Sequence, residues 1–113
     1  MDLYEIRDIL SATVLCGEEG LGREVHSACA SDFMSDVLAY VKDQAVLLTG
    51  MVHPQVVRTA EMMDMKCIVF VRGKTPGEDI LELARERDIV VMRSELRMFV
   101  ACGLLYRSGL AGE

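Results

Sequence analysis

Three short apolar runs constrain the fold of this chain more than any other feature of its sequence. They span Ala45 to Thr49, Cys67 to Val71 and Ile89 to Met92, and a segment with apolar residues at helical spacing follows each of them. The runs lack the alternation of a half-exposed strand, which indicates strands that are buried on both faces. We therefore predict one α/β domain over residues 1–107, with a largely parallel sheet, helices on both of its faces and a flexible tail over residues 108–113.

The part of the chain before these runs predicts a helix followed by a β-hairpin. Apolar residues recur at helical spacing over residues 2–11. Thr13 to Cys16 and Glu24 to Ala30 have the composition of short strands, and glycines at positions 17, 20 and 22 lie between them. Glycines between two strands indicate a hairpin turn rather than the dinucleotide-binding fingerprint, because that fingerprint joins a strand to a helix.

Residues that favour helix caps mark the predicted beginnings of the later helices. Ser31 and Asp32 precede an apolar stripe, and Pro54 suits the first position of the next helix. Thr75 to Glu78 has the pattern of a capping box, and Ser94 is the predicted cap of a C-terminal helix. The residues expected on the buried faces of the first and the last of these helices are Phe33, Met34, Val37, Leu38 and Val41, and Leu96, Phe99, Val100, Gly103 and Leu104.

The charge of the chain argues against a polyanionic partner. Twelve basic and eighteen acidic residues give a formal net charge of −6 at pH 7. A protein that binds nucleic acid or an anionic membrane needs a basic face. The N-terminus lacks the pattern of a signal peptide, and no apolar run is long enough to cross a bilayer. We therefore expect a cytoplasmic protein with no nucleic-acid partner and no membrane partner.

The four cysteines predict reduced thiols rather than disulfides or metal ligands. Cys16, Cys29, Cys67 and Cys102 are far apart in the sequence, and none has a second Cys or a His at zinc-ligand spacing. Proteins of the cytosol keep such thiols reduced. We expect neither a metal site nor a cofactor.

The candidate site lies at the carboxyl ends of the predicted parallel strands. Ligands of open α/β sheets bind at this edge, where helix N-termini favour an anion. Basic residues follow the strands in an acidic chain, so a nucleotide or another phosphate-bearing metabolite is the expected class of ligand. A purely structural role in caps, turns and solvated surface is the alternative. The candidate ligand-binding residues are Asp32, Thr49, Gly50, His53, Arg72, Gly73, Arg93 and Ser94.

The sequence contains no recognised catalytic constellation. Gly73-Lys74-Thr75 is similar to the end of a phosphate-binding loop, but that motif requires a glycine five positions before Gly73, where this chain has Ile68. No Ser, Cys or carboxylate stands near His53 in a recognised arrangement, so we expect this side chain to cap a helix or to lie on the surface. We therefore name no catalytic residue.

Two long segments, residues 20–41 and 45–92, together with the closing helix, resemble the DRTGG domain family. The resemblance implies an α/β fold similar to that of the N-terminal domain of HPr kinase/phosphorylase. Members of this family occur alone and as accessory domains of phosphotransacetylases and of inorganic pyrophosphatases that carry CBS domains. The resemblance therefore implies a regulatory or dimer-forming role and not a catalytic one.

One feature of the family is missing from this chain, namely the Asp-Arg-Thr-Gly-Gly signature that gives the family its name. Gly50-Met51-Val52-His53-Pro54 takes its place at the corresponding turn between a strand and a helix. The positions that the resemblance singles out are Asp32 and the turn from Thr49 to His53.

Three hypotheses for function follow from these patterns. The first is a homodimeric regulatory or interaction module that senses an anionic metabolite or an adenine nucleotide, with a partner enzyme of the kinase, hydrogenase or phosphotransacetylase type. The second is a protein-protein docking or dimerisation module with no small-molecule ligand. The third is a small enzyme that acts on a phosphate ester through His53 and Asp32.

Overall fold

The three apolar runs form neighbouring parallel strands in the middle of a sheet. They do so in a computed structural model of the protein, which describes residues 1–39 and 45–112. The strands are β1 (Thr13–Cys16), β2 (Ser27–Ala30), β3 (Ala45–Thr49), β4 (Cys67–Phe70), β5 (Val90–Arg93) and β6 (Ala111–Gly112). The α-helices are α1 (Leu3–Ile9), α2 (Met34–Ala39), α3 (Pro54–Met62), α4 (Glu78–Glu86) and α5 (Met98–Arg107), and Glu18–Gly20 form a 3-10 turn.

Five of the six described strands run parallel, which confirms the predicted fold class. The order across the sheet is β1-β5-β4-β3-β2-β6. β2, β3, β4 and β5 pair in parallel, β6 pairs in parallel with β2, and β1 is antiparallel to β5. Leu48 lies beside Val69, and Val69 lies beside Met92, so the central strands end together at one edge.

Helices cover both faces of the sheet. α2, α3 and α4 connect successive parallel strands and lie on one face, because right-handed crossovers made in one direction place their helices on the same side. Leu47 and Ile68 belong to the core under these helices, whereas Val46 and Val69 belong to the core under α1 and α5. Each central strand is thus buried on both faces. Within the described residues, no helix has the length and apolar composition needed to span a membrane.

The prediction of a β-hairpin is wrong, because three other strands of the sheet lie between β1 and β2. β1 pairs with β5, and β2 pairs with β3. The chain leaves β1 at Gly17, which has a φ of 84° and whose Cβ, if it had one, would lie 2.9 Å from the Cα of Val90. It then passes below α1, where the N–H of Val25 donates to the carbonyl of Met1 at 2.8 Å. Leu21 and Val25 enter the core there, which the local turn pattern does not reveal.

The sequence predicts a flexible tail over residues 108–113. The structure describes this segment as far as residue 112, and its last two described residues pair with the sheet. Leu110 is buried in the core under α1 and α5, and its N–H donates to the carbonyl of Leu105 at 3.1 Å. Ala111–Gly112 form β6 beside β2. The chain therefore crosses the face of the sheet through α5 and returns to the edge opposite β1.

Two helices begin later than their predicted caps. α4 begins after Gly77, which makes no side-chain capping hydrogen bond, so the capping box predicted at residues 75–78 is not formed; Pro76 is buried in the loop before the helix. α5 begins at Met98, after Arg97, and not at Ser94. The Ser94 hydroxyl donates instead to the carbonyl of Leu10 at 2.8 Å. This bond ties the end of β5 to the end of α1, and the hydroxyl oxygen accepts from the N–H of Leu96 in the loop before α5 rather than from the helix.

The face of α5 that meets the core also differs from the predicted one. Its buried residues are Ala101 and Leu105, whereas Phe99 and Val100, predicted to face inward, are exposed. Of the other predicted residues, Leu96 and Leu104 pack partly against the core and Gly103 is exposed. Every residue from 98 to 106 is apolar or glycine, so the sequence does not mark one face of the helix.

Two of the four described residues in the stripe predicted for α2 are buried. Met34 and Val37 are buried, as predicted, whereas Phe33 and Leu38 are exposed. Val41, the last member of the predicted stripe, lies outside the described residues. The two buried residues are three positions apart and therefore lie on one face of this short helix.

The cysteines occupy separate parts of the fold. Cys16 and Cys67 are buried, and Cys29 and Cys102 are partly buried. Burial raises the pKa of the thiols of Cys16, Cys67 and Cys102, because the thiolate loses its hydration. These thiols therefore stay protonated at neutral pH, in agreement with a packing role.

Replacing Ser94 by Ala tests the bond between β5 and α1. The Ser94 side chain is 1% exposed, so the variant leaves the carbonyl of Leu10 without this donor inside the protein. We expect the free energy of unfolding to fall by about 1–3 kcal/mol in urea-induced unfolding. Ser108→Ala is the matched control, because the Ser108 hydroxyl also donates to a carbonyl at 2.8 Å but does so at the surface. Equal losses in the two variants would contradict the assignment.

Candidate functional site

The parallel strands bring the predicted site residues to one edge of the sheet. Thr49, Phe70 and Arg93 are neighbours across β3, β4 and β5 near the ends of these strands. The hydrogen-bond ladder continues beyond the strands, since the N–H of Ser31 donates to Leu48 at 3.1 Å and the N–H of Ser94 donates to Phe70 at 2.9 Å. The turns that follow the four strands therefore lie side by side. We call this region the carboxyl edge.

Asp32 joins three of these turns. Its Oδ1 accepts a hydrogen bond from the N–H of Gly50 at 2.7 Å and lies 3.4 Å from the hydroxyl of Thr49. Its Oδ2 lies 3.4 Å from Nη2 of Arg72. The sequence predicts Asp32 as a helix cap, but the structure shows its carboxylate connecting the turns after β2, β3 and β4. Asp32 and Arg72 keep 41% and 43% of their side-chain surface exposed, so both remain accessible to a ligand.

Arg72 is held in place by its backbone as well as by its side chain. Its φ is 60°, in the left-handed region that costs a non-glycine residue about 1–3 kcal/mol. Its N–H donates to the carbonyl of Leu96 at 2.7 Å, which fixes the turn. The guanidinium lies against Gly50, and a Cβ at position 50 would overlap it, 2.7 Å from Cζ. The absence of a side chain at position 50 therefore gives Arg72 its position beside Asp32.

Arg93 binds the next turn. Its Nε donates to the carbonyl of Gly73 at 3.2 Å, and its Nη2 forms an ion pair with Glu95 at 2.6 Å. Gly73 has a φ of 68°, and a Cβ there would lie 2.5 Å from the Glu95 carboxylate. The guanidinium of Arg93 thus has two contacts, which join the turn after β4, at Gly73, to the turn after β5, at Glu95.

The remaining predicted residues have structural contacts. Ser94 is buried, and its hydroxyl is engaged with Leu10 and with the N–H of Leu96. Thr49 is fully buried and accepts a hydrogen bond from the N–H of Met51 at 3.1 Å. His53 caps α3, since its Nδ1 accepts from the N–H of Gln55 at 3.0 Å. The side chains of Thr49 and Ser94 are therefore buried inside the carboxyl edge, whereas the ring of His53 is exposed at its surface.

The structure does not pair His53 with Asp32. Among the described residues, the hydrogen bonds of Asp32 go to Thr49, Gly50 and Arg72, and that of the His53 ring goes to Gln55. A general base needs its acid or nucleophile within hydrogen-bond reach. In the described part of the chain, no group of three or more His, Cys, Asp or Glu side chains could hold a metal ion.

A cleft of about 580 Å³ opens beside Arg72, a volume within the range of small-molecule sites. The lining residues are Arg72, Glu95, Arg97, Met98 and Phe99. The cleft combines two guanidinium groups with an apolar wall, and the one carboxylate in it, that of Glu95, is already paired with Arg93. Such a cleft can bind an anionic group that carries an apolar or aromatic part.

Sequence reasoning missed Arg97, Met98 and Phe99 as candidate site residues. The prediction began the last helix at Ser94, which placed Arg97 within it, and it assigned Phe99 to the buried face. The helix begins at Met98 instead, so the preceding loop runs along the carboxyl edge. The available signal was the spacing of Ala101 and Leu105, which suits a buried pair one helical turn apart.

Comparison with protein families finds one family model that matches almost the whole chain. The model of the DRTGG domain matches residues 5–108. The chain belongs to the DRTGG domain family. Its sequence nevertheless lacks the Asp-Arg-Thr-Gly-Gly segment. No curated protein matches this chain in sequence.

A solved structure has the same fold as this DRTGG domain. It is the crystal structure of the CBS and DRTGG domains of the regulatory region of Clostridium perfringens pyrophosphatase, in complex with the activator diadenosine tetraphosphate. The TM-score is 0.75 at 22% sequence identity, over 95% of the present chain and 46% of the other. The chain thus spans about half the length of the regulatory region to which it is similar.

Replacing Asp32 tests whether its carboxylate connects the turns. We expect Asp32→Ala to lower the free energy of unfolding by about 1–2 kcal/mol, because the N–H of Gly50 loses an ionised acceptor in a partly buried position. Asp32→Asn keeps an oxygen in the same place and should recover most of the loss. Urea-induced unfolding of both variants is the measurement, and an Asp32→Ala protein as stable as the wild type would contradict the role.

Proposed function

We propose that this DRTGG domain is a non-catalytic regulatory module that binds a phosphate-bearing metabolite at its carboxyl edge, with an adenine nucleotide as the first candidate. The observation that carries the proposal is the position of Arg72. Asp32, Gly50 and the backbone of Leu96 hold this arginine at the mouth of a cleft that also contains Arg97.

The charges at the cleft support an anionic ligand. A guanidinium binds phosphate through paired N–H groups, and its affinity increases when the side chain is already ordered. Arg72 has only one side-chain ion pair in the described structure, at the long distance of 3.4 Å. The incoming phosphate can therefore replace or share that contact. In a chain of net charge −6, the two arginines in the lining of the cleft outnumber its one carboxylate, that of Glu95.

The apolar wall supports a ligand with an aromatic part. Met98 and Phe99 line the cleft beside Arg97, and the Phe99 ring is 88% exposed. Exposed aromatic rings stack well on nucleobases, whose faces are also flat and polarisable. The activator of the similar Clostridium perfringens regulatory region, diadenosine tetraphosphate, has both adenine and phosphate groups.

The similar structure also supports a partner enzyme. Its DRTGG domain lies in the regulatory region of a pyrophosphatase, together with CBS domains. We propose that the present domain likewise acts on an enzyme, in the same chain or in another, by passing on its ligand state. A kinase, a hydrogenase and a phosphotransacetylase are the types of enzyme that the sequence reasoning names, and a cytoplasmic location stays a prediction.

A docking module without a small-molecule ligand is the second candidate function. The outer face of α5 favours it, because Phe99 and Tyr106 are 88% and 76% exposed on the same helix. Exposed apolar patches of this kind mark interaction surfaces. The two functions differ in whether a free metabolite stabilises the isolated protein.

Thermal unfolding in the presence of ATP, diadenosine tetraphosphate or tripolyphosphate tests the proposal. A ligand that binds only the folded state stabilises it by about 2.7 kcal/mol at a hundredfold excess over its dissociation constant. We expect a saturable rise in melting temperature with at least one nucleotide. A rise with tripolyphosphate alone would assign the site to phosphate without the base, and no rise with any of the three would contradict the proposal.

Variants of Arg72 locate the site. We expect Arg72→Ala, and Gly50→Ala through displacement of the same guanidinium, to weaken nucleotide binding about 10- to 100-fold in isothermal titration calorimetry. Arg58→Ala is the matched control, because Arg58 is an exposed arginine on α3. Unchanged affinity in Arg72→Ala would place the ligand elsewhere.

A further inference from the structure

The outer face of α5 is apolar, although it points away from the core. No charged residue lies between Arg97 and Arg107, and Ala101 and Leu105 turn toward the sheet. Phe99, Val100 and Tyr106 are therefore left on the exposed side. A helix that is apolar on all sides is normally buried on all sides.

Gly103 lies in the middle of this exposed face, and nothing in the described protein requires a glycine there. A Cβ at position 103 would have no atom within 4 Å, and Gly103 is not among the glycines with positive φ. Glycine is the poorest helix former after proline, so its presence in a helix interior needs a reason. The common reason is the close approach of another backbone.

We propose that a second copy of this chain packs on this face, with two α5 helices crossing antiparallel near Gly103. A twofold axis makes such an interface self-complementary, because the same patch serves both copies. The inference is argued from the α5 face alone, although Phe99 lines both this face and the ligand cleft. It assigns a location to the homodimer that the family resemblance implies.

The spacing of the residues fits this arrangement. Phe99 lies four residues before Gly103 and Tyr106 lies three residues after it, which are axial distances of about 6 Å and 4.5 Å. In an antiparallel pair, Phe99 of each copy therefore comes level with Tyr106 of the other copy, and the two glycines let the backbones approach. A shallow depression of about 540 Å³ lies between these rings, lined by Phe99, Cys102, Gly103, Tyr106 and Arg107.

Charge favours this face over the rest of the surface as the place where two copies meet. Each chain has a net charge of −6, so two copies repel each other over most of their surfaces. The α5 face has no acidic residue from 98 to 107. The antiparallel order brings Arg107 level with Phe99 of the other copy, where a guanidinium can stack on the ring. It also places each helix N-terminus beside a C-terminus of opposite partial charge.

The apolar surface on the outer face of α5 is close in area to what a stable dimer interface buries. Each large aromatic side chain buries about 150–250 Å², so the four rings of two copies supply roughly 600–1,000 Å². Stable interfaces begin at about 1,200 Å² in total. Val100, Cys102 and the stem of Arg107 lie beside the rings and supply the remainder.

Sedimentation equilibrium of the full chain, over protein concentrations from about 1 µM to about 1 mM, tests the proposal. We expect the wild type to dimerise. Gly103→Leu should weaken the dimer about 100-fold or more, because the substitution enters a symmetric interface twice and blocks the close approach. Leucine is a good helix former and position 103 has open space, so the variant monomer folds. Circular dichroism checks this directly.

Two further variants test whether dimerisation depends on the α5 face or on exposed apolar surface in general. Tyr106→Ser should also weaken the dimer, whereas Phe33→Ser should not, because Phe33 is an equally exposed ring, at 70%, next to α2 on the other face of the sheet. Neither Gly103 nor Tyr106 lines the ligand cleft, so failure here leaves the ligand proposal standing. A monomeric wild type would overturn the assignment. So would a dimer that Gly103→Leu and Tyr106→Ser leave unchanged, or one that Phe33→Ser weakens as much as these two variants do.

Discussion

The parallel pairing of β2, β3, β4 and β5 is the constraint on which the rest of the structure depends. Each of these strands is followed by a turn at the same edge, and the crossover helices α2, α3 and α4 occupy one face of the sheet. The other face is then left for α1 and α5. Both the candidate site and the exposed face of α5 follow from this distribution, because α5 must start at the carboxyl edge and cross the sheet to reach β6.

The carboxyl edge holds the side chain of Arg72 in one position and leaves it partly exposed to solvent. The carboxylate of Asp32, the absence of a side chain at Gly50 and the left-handed backbone of Arg72 together fix one guanidinium at the surface. Structural contacts of this kind reduce the entropy that an arginine loses when it binds a ligand. The edge therefore presents an ordered guanidinium at an accessible surface, which is what the proposed ligand site needs.

Much of the fold could be predicted from the sequence, because continuous apolar runs such as Ala45–Thr49 allow few alternatives to a strand buried on both faces. The hairpin could not be predicted, since the burial of Leu21 and Val25 below α1 is a long-range effect. The orientation of α5 could not be predicted either, because an evenly apolar helix has no marked face. For the site, position along the strands indicated Asp32 and Arg72, but the contact between them depends on the register of β2, β3 and β4.

The most direct test of the central claim is to map ligand-induced shifts of backbone amide resonances in the isotope-labelled protein during a titration with diadenosine tetraphosphate. The account predicts that the largest shifts occur at the N–H groups of the carboxyl edge, from Asp32, Gly50 and Arg72 to the loop before Met98. Shifts confined to the opposite edge of the sheet, where Arg23 and Lys66 line a separate cleft, would contradict it.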